Sequence, residues 1–183
     1  MLRLCSASST RMAILEKAGI DFVPSPIDFD EEAIVSTSAA SLAYFASKGK
    51  MELAKSIFGV NTQLLTADTV IEGPNGAVLG KAGNMKEAEE SLRLLSGARI
   101  SISTCVHLNC SRYLFVDLSS THYSFAPFDE DDMRAFLESG EWEGKAGACM
   151  VEGFCKAYIL EVDGLESTAM GLQIEKILPW LEI

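Results

Sequence analysis

The stretch LLTADTVI at residues 64–71 decides the fold of this 183-residue chain. Its β-branched and apolar residues predict a strand, and Asn75-Gly76 in the turn that follows is a strong hairpin signal, with the return through Val78-Leu79. Asp68 interrupts the apolar run, and a buried carboxylate is costly unless it is paired or binds a metal. We therefore expect Asp68 either to hold a metal and act on water, or to point to solvent from an edge strand.

Strands and helices alternate on both sides of this stretch. Towards the N-terminus, the pattern predicts strands at 1–5 and 21–23 and helices at 12–18 and 39–58. Towards the C-terminus, it predicts helices at 84–96, 129–138 and 172–181, three consecutive antiparallel strands at 100–108, 113–118 and 123–125, and a strand at 158–162. This order predicts an α/β or α+β fold with a mixed sheet, not a doubly wound parallel one.

The composition indicates one domain over residues 1–183, because apolar residues make up 48%, charged residues 22%, and no linker separates two blocks. A net charge of −11 argues against binding to a nucleic-acid polymer. With no apolar run near 18 residues and no signal-peptide pattern, we expect a cytoplasmic protein without a membrane partner. The five cysteines form no CxxC motif, which favours reduced core residues.

A serine-rich turn, Ser6-Ala7-Ser8-Ser9-Thr10-Arg11, lies between the first strand and the first helix. Open backbone N–H groups, the helix dipole and Arg11 could together bind a phosphate. The alternative is a serine N-cap followed by a solvated arginine.

Two lysines and an acidic loop could complete an anion and metal site. Lys81 follows the hairpin strand, and Lys145 lies among small residues in Gly144–Ala148, although either could simply face solvent. The acidic run Asp28, Asp30, Glu31 and Glu32 could donate a second metal ligand or form a solvated surface. The sequence has no Walker A motif, no GxGxxG fingerprint and no recognisable catalytic triad, which argues against a P-loop, a dinucleotide site and triad chemistry.

Taken in order, these segments resemble the Maf family of nucleotide pyrophosphatases. The matching segments are Leu4–Arg11, which is similar to the family's Ser-x-Ser-Pro-Arg-Arg, Ala67-Asp68-Thr69-Val70, Leu79-Gly80-Lys81, Leu94-Leu95-Ser96-Gly97, Lys145-Ala146-Gly147 with Glu152-Gly153, and Met170-Gly171-Leu172. The resemblance spans essentially the whole chain. It implies a Maf/ITPase-like fold with an elongated mixed sheet, flanking helices and a central cleft.

The resemblance also implies an activity and a site. The implied enzyme is a nucleoside triphosphate pyrophosphatase that hydrolyses ribo- or deoxynucleotides, including non-canonical, modified or pyrimidine (dTTP and UTP) ones, to the monophosphate and pyrophosphate with Mg²⁺ or Mn²⁺. Asp68 is then the proton acceptor and, with Glu31, a metal ligand. The triphosphate lies against Ser6, Arg11, Lys81, Lys145 and a lysine of the long helix, which is Lys50 or Lys48; Lys50 is nearer the expected spacing.

Thr10, Thr69 and Glu152 occupy the positions that the family associates with the choice of base. Thr10 stands where the family has an arginine, and Glu152 where it has a glutamine. Because an ionised glutamate only accepts hydrogen bonds whereas glutamine also donates, these departures indicate that a different base edge is read. The family's septum-inhibition phenotype provides an alternative, a nucleotide-binding regulator of cell division with little catalysis. Family members are commonly dimers, so we expect a homodimer.

Overall fold

The computed structural model describes residues 1–31, 34 and 38–181, and a mixed sheet of seven strands lies at its centre. Six strands lie in the order β2-β1-β3-β5-β6-β7, and β4 pairs with β3 outside this path. The strands are β1 (Leu2–Leu4), β2 (Phe22–Pro24), β3 (Leu64–Glu72), β4 (Val78–Leu79), β5 (Arg99–Asn109), β6 (Leu114–Phe125) and β7 (Ile159–Asp163). Strand β1 runs parallel to β2 and β3 whereas the other pairs are antiparallel, so the predicted mixed α/β sheet is confirmed.

Helices cover both faces of this sheet. They are α1 (Ser9–Lys17), α2 (Ala39–Phe58), α3 (Met85–Leu95), α4 (Glu130–Ser139), α5 (Glu166–Ala169) and α6 (Ile174–Ile177), and short 3₁₀ turns lie at Pro74–Gly76, Phe154–Tyr158 and Leu178–Trp180. The four longer helices begin at capping side chains that accept a backbone N–H, namely Ser8, Ser38, Asn84 and Asp129. The predicted long helix at 39–58 ends at Gly59, where φ is +89°.

Alternation along β3 divides the core between the two faces. On one face, Val70 of β3 and Cys105 of β5 pack with Ala39 and Ala43 of α2. On the other face, the larger clusters contain Leu65, Ala67 and Ile71 of β3 with apolar side chains of α1, α3 and α4. Even-numbered residues of β3 therefore face α2, and odd-numbered residues face the opposite side.

Three predicted elements, two strands and one helix, were wrong in their extent. The strands expected at 113–118 and 123–125 are one strand, β6, which pairs with β5 without interruption from Arg99↔Ser124 to Asn109↔Leu114. The polar residues between them contain no glycine or proline, and Ser120 bonds Ser103 of β5 at 2.8 Å. The helix expected at 172–181 is broken into α6 and a 3₁₀ turn, because Pro179 has no N–H to continue it.

All five cysteines are free and buried, as the sequence analysis predicted. Over the described ranges, no helix combines the length and the apolar character needed to cross a membrane.

Candidate functional site

A gap along one edge of β3 forms a cleft. Strand β5 pairs with β3 along its whole length, but on the other edge β1 pairs only with Leu64 and Leu65 and β4 only with Ile71 and Glu72. Within the part of the chain that the structure describes, residues 66–70 therefore have no strand on that edge, and a cavity of about 460 Å³ opens there. The serine-rich turn that follows β1 and the segment that follows β4 line this cavity.

Asp68 lies in the middle of the gap. Its side chain is buried, and its strand is an interior strand of the sheet, so the alternative of a solvent-facing residue on an edge strand was wrong. Lys50 of α2 donates a hydrogen bond to Oδ1 of Asp68 at 2.6 Å and pairs with Glu31 at 2.5 Å. Of the two lysines considered for α2, the structure thus places Lys50 in the cleft, whereas Lys48 is exposed and does not line the cavity.

The surroundings of Asp68 make its negative charge costly. Burial raises the pKa of the Asp68 carboxyl, the charge of Lys50 lowers it, and the nearby carboxylate of Glu31 raises it, with a net result above the ordinary value. A carboxylate that takes up a proton more readily than usual is suited to act as a general base.

Arg11 is fixed in the cleft by three hydrogen bonds. Its Nε donates to the carbonyl of Gly171 at 2.8 Å, Nη1 to Oγ of Ser6 at 3.0 Å, and Nη2 to Oγ1 of Thr69 at 3.0 Å. Burial lowers the pKa of Arg11, while the charges of Asp68 and Glu31 oppose that effect, and an arginine stays charged in any case. Ser8 therefore caps α1, as one alternative expected, but Arg11 points into the cleft and not into solvent. Phosphate binding by this turn stays a prediction.

Two residues that support Arg11 were given no role in the site from the sequence, although Gly171 belongs to the matching segment Met170-Gly171-Leu172. Gly171 has a φ of +95°, and a Cβ there would lie 3.0 Å from Oγ1 of Thr69 and 3.3 Å from Nε of Arg11. Thr104 of β5 lies opposite Thr69, with the two hydroxyl oxygens 2.8 Å apart, and donates to the carbonyl of Thr168. The only signal for Thr104 in the sequence was its place in a β strand, which does not reveal its partner.

Lys145 brings together two of the residues associated with the choice of base. Its Nζ donates to Oγ1 of Thr10 at 2.8 Å and pairs with Oε1 of Glu152 at 3.1 Å. Lys81 lies nearby, since it forms a β-bridge with Ala146, and both lysines line the cavity. The cavity is thus lined by all the residues proposed for the triphosphate, the metal and the base, with Lys50 as the lysine of α2. Of the acidic run, Asp28 and Glu31 line it and Asp30 does not, while Glu32 lies outside the described residues.

The carboxylates of Glu31 and Asp68 fit a divalent cation. Both lie within 2.6 Å of Nζ of Lys50, so a positive charge is already stabilised between them. Among the residues that the structure describes, no three side chains of His, Cys, Asp or Glu converge as a metal cage. Mg²⁺ is commonly held by one or two carboxylates together with phosphate oxygens and water, so this pair suits an ion that arrives with a phosphorylated ligand.

The fold and this cleft define an α/β protein with a charged pocket, suited to an anionic ligand, at the open edge of a central strand. The family model described as Maf-like protein matches residues 1–182, and the chain therefore belongs to the Maf family. This confirms the resemblance found in the sequence.

Similar proteins were found across the chain's length. A nucleoside triphosphate pyrophosphatase of Nitratiruptor is 46% identical over 97% of this chain and 96% of that protein. One from Helicobacter pylori is 35% identical over 100% of this chain and 95% of that protein. A dTTP/UTP pyrophosphatase of Nitrobacter winogradskyi is 30% identical over 96% of this chain and 87% of that protein. The structure of the Staphylococcus aureus Ham1 protein matches with a TM-score of 0.47 and 16% identity over 68% of this chain and 71% of that one.

Proposed function

We propose that this chain hydrolyses the α–β phosphoanhydride bond of nucleoside triphosphates and releases a nucleoside monophosphate and pyrophosphate. The observation that carries the proposal is the buried Asp68, paired with Lys50 in a cleft that Arg11, Lys81 and Lys145 also line. The enzyme names of the relatives support the same activity. Those names do not favour the alternative of a septum regulator with little catalysis.

The cations of the cleft would bind the triphosphate. The chain carries a net charge of −11, so a polyanion has to be met by local positive charge. Arg11 is already held by three hydrogen bonds, which reduces the cost of ordering it when the phosphate binds. Ser6, Lys50, Lys81 and Lys145 line the same cavity, and we assign them to the triphosphate as well.

Glu31 and Asp68 would hold Mg²⁺ or Mn²⁺. When bound, the ion would neutralise charge on the phosphate oxygens that develops as the bond breaks. Lys50 has three N–H donors and uses two of them on these carboxylates, so the third can reach a phosphate oxygen.

Asp68 would act as the general base. One carboxylate oxygen accepts a proton from a water molecule as the water oxygen attacks the α-phosphorus and pyrophosphate leaves. The raised pKa of Asp68 favours uptake of that proton, which is then lost to solvent.

A panel of nucleoside triphosphates incubated with Mg²⁺ or Mn²⁺ tests the proposal, with pyrophosphate and orthophosphate measured separately. We expect pyrophosphate to be the inorganic product. Orthophosphate instead would indicate a phosphatase, and binding without release of either would favour the regulator. Asp131→Asn, which changes an exposed carboxylate of α4, provides the control for a change of charge alone.

The homodimer and the cytoplasmic location stay predictions from the sequence. Sedimentation velocity of the purified chain tests the dimer, and cell fractionation tests the location.

A further inference from the structure

The cleft has two polar ends that lie on opposite faces of the sheet. Asp68 and Thr69 are neighbours in β3, so their side chains point to opposite faces. Asp68 is paired with Lys50 of α2, whereas Thr69 accepts from Arg11 of α1 on the other face. The segment after Lys145 lies on the Thr69 face too, because a Cβ at Gly147 would lie 3.3 Å from Cδ1 of Ile71.

A carboxylate at the Thr69 end needs an explanation. Glu152 lines a cavity that we assign to a triphosphate, and Lys145 offsets its charge through Oε1 alone, so Oε2 still repels phosphate oxygens. It is tolerable if it faces a part of the ligand that donates hydrogen bonds. We therefore expect Glu152 to face the base, and the base to present donors to it.

The hydrogen bonds of Glu152, Lys145 and Thr10 fix which groups are available to such a base. Oε1 of Glu152 accepts from Lys145, and Oε2 has no hydrogen-bond partner among the residues at 1–31, 34 and 38–181. Lys145 uses two of its three donors on Glu152 and Thr10. Because the Thr10 oxygen accepts from Lys145, the Thr10 hydroxyl hydrogen remains to donate. This end therefore offers a carboxylate acceptor flanked by donors.

The natural bases differ in whether they match that pattern. Guanine presents two adjacent donors, N1–H and the N2 amino group, beside the acceptor O6. Uracil and thymine present one donor between two acceptors, and adenine and cytosine each place a ring-nitrogen acceptor beside their amino group. With any of these four bases, at least one acceptor atom of the base lies against the carboxylate. The two atoms then repel each other or stay without a hydrogen bond.

We propose that this end of the cleft selects guanine, with Glu152 accepting from N1–H and the N2 amino group and with the Thr10 hydroxyl donating to O6. The inference rests on the proposed function and names the substrate class of the same site. It differs from the family resemblance, which includes dTTP and UTP among the substrates, and from the name of the Nitrobacter relative, a dTTP/UTP pyrophosphatase.

Release of pyrophosphate is measured as kcat/KM for GTP, ITP, XTP and UTP. ITP lacks the N2 amino group, and XTP replaces it with a carbonyl. We expect kcat/KM for GTP to exceed that for ITP by about 10-fold, since a lost hydrogen bond to a charged group costs roughly that factor. XTP and UTP also place a carbonyl oxygen against the carboxylate, and we expect GTP to exceed them by about 100-fold.

Glu152→Gln should lower kcat/KM for GTP by about 10-fold and narrow or reverse the preference over UTP, since an amide can pair with a donor and an acceptor together. The matched control is Glu143→Gln, which removes the same charge from another glutamate that lines the cavity. It should leave the ratio of GTP to UTP unchanged. Dissociation constants of α,β-methylene GTP and UTP, measured with both variants, report selectivity even if turnover is impaired.

The possible failures can be told apart. The guanine assignment is overturned if UTP or dTTP releases pyrophosphate fastest, or if Glu152→Gln and Glu143→Gln change the ratio of GTP to UTP equally. The proposed function still stands in both cases. Absence of pyrophosphate from every nucleotide removes the proposed function, and the guanine assignment with it.

Discussion

Replacing Asp68 by asparagine separates what this side chain does for catalysis from what it costs the fold. Asparagine has nearly the same shape, but it can neither take a proton from water nor contribute a charge to a metal site. A general base typically contributes 10²- to 10⁴-fold to the rate. We therefore expect Asp68→Asn to lower turnover by about 10²- to 10⁴-fold or more, with the protein still folded.

The same substitution should stabilise the protein at neutral pH. Burial raises the pKa of Asp68 despite Lys50, so the folded protein binds a proton more tightly than the unfolded chain does. Stability of the wild type therefore falls as pH rises from the ordinary pKa of the carboxyl to its raised folded value. Asp68→Asn lacks this loss. For each unit by which the folded pKa is raised, we expect the variant to gain about 1.4 kcal/mol in free energy of unfolding over the wild type, or roughly 3–6 °C in Tm.

Asp117→Asn is the matched control, because it should have the opposite sign. Burial raises the pKa of Asp117, but hydrogen bonds from Ser119 and Gln173 and the charge of Lys176 outweigh burial, and the net pKa is lowered. The ionised carboxylate thus stabilises the fold above its ordinary pKa, and that stability is lost as pH falls through the lowered folded value. Asp117→Asn should be less stable than the wild type at pH 7.

Thermal unfolding of the three proteins from pH 3 to pH 8, without metal, measures both effects. We expect Asp68→Asn to lie above the wild type and Asp117→Asn below it at neutral pH, with both differences shrinking towards low pH. An Asp68→Asn variant that is no more stable than the wild type at pH 7 would refute the argument that burial outweighs Lys50. Near-normal turnover of that variant would show that Asp68 has a structural role only.

Two further substitutions test the packing around the site and the interior of the sheet. Gly171→Ala should lower the free energy of unfolding by about 1–2 kcal/mol and lower turnover, because its Cβ would crowd Thr69 and Arg11. The control is Gly76→Ala, at a similar φ of +75° with open space around it. It should lower Tm through backbone strain but keep its activity. His107 is buried, and burial with the charges of Lys55 and Lys48 lowers its pKa to about 4. His107 should therefore lower the free energy of unfolding by about 3 kcal/mol as pH drops from 6.5 to 4. A His107→Gln variant whose free energy of unfolding depended on pH as strongly as that of the wild type would contradict this.

The fold was predictable where it depends on local patterns. Helix α2 could be placed because Ser38 caps it and Gly59 ends it, and β3 because its apolar residues lead into an Asn-Gly turn. Prediction failed where tertiary pairing decides the outcome. Strand β6 continues through a polar segment because β5 pairs with it there, and that partner cannot be read from the segment itself.

The residues that line the cleft were predictable from the sequence, but the geometry that brings them together was not. Motifs in order along the chain named Asp68, Arg11 and Lys145 correctly as residues of one cleft, although they are far apart in sequence. The gap beside Asp68 could not be predicted, because it depends on where β1 stops and β4 starts along the edge of β3. The hydrogen bond from Arg11 to Gly171 spans 160 residues, so the local motif at either end does not reveal the other residue as its partner.

The period of a β strand explains how one cleft can keep hydrolysis and base selection apart. Because successive side chains of β3 point to opposite faces, Asp68 meets α2 and its lysine, while Thr69 meets Arg11 and the face that carries Glu152. On the proposed function, substitutions on the Thr69 face would therefore change the preferred base without moving Asp68, the proposed general base. This separation requires only that β3 keep its register with β5, which its continuous pairing along nine residues secures. A change of base preference within such a cleft thus needs few substitutions, and Thr10 and Glu152 lie where they would act.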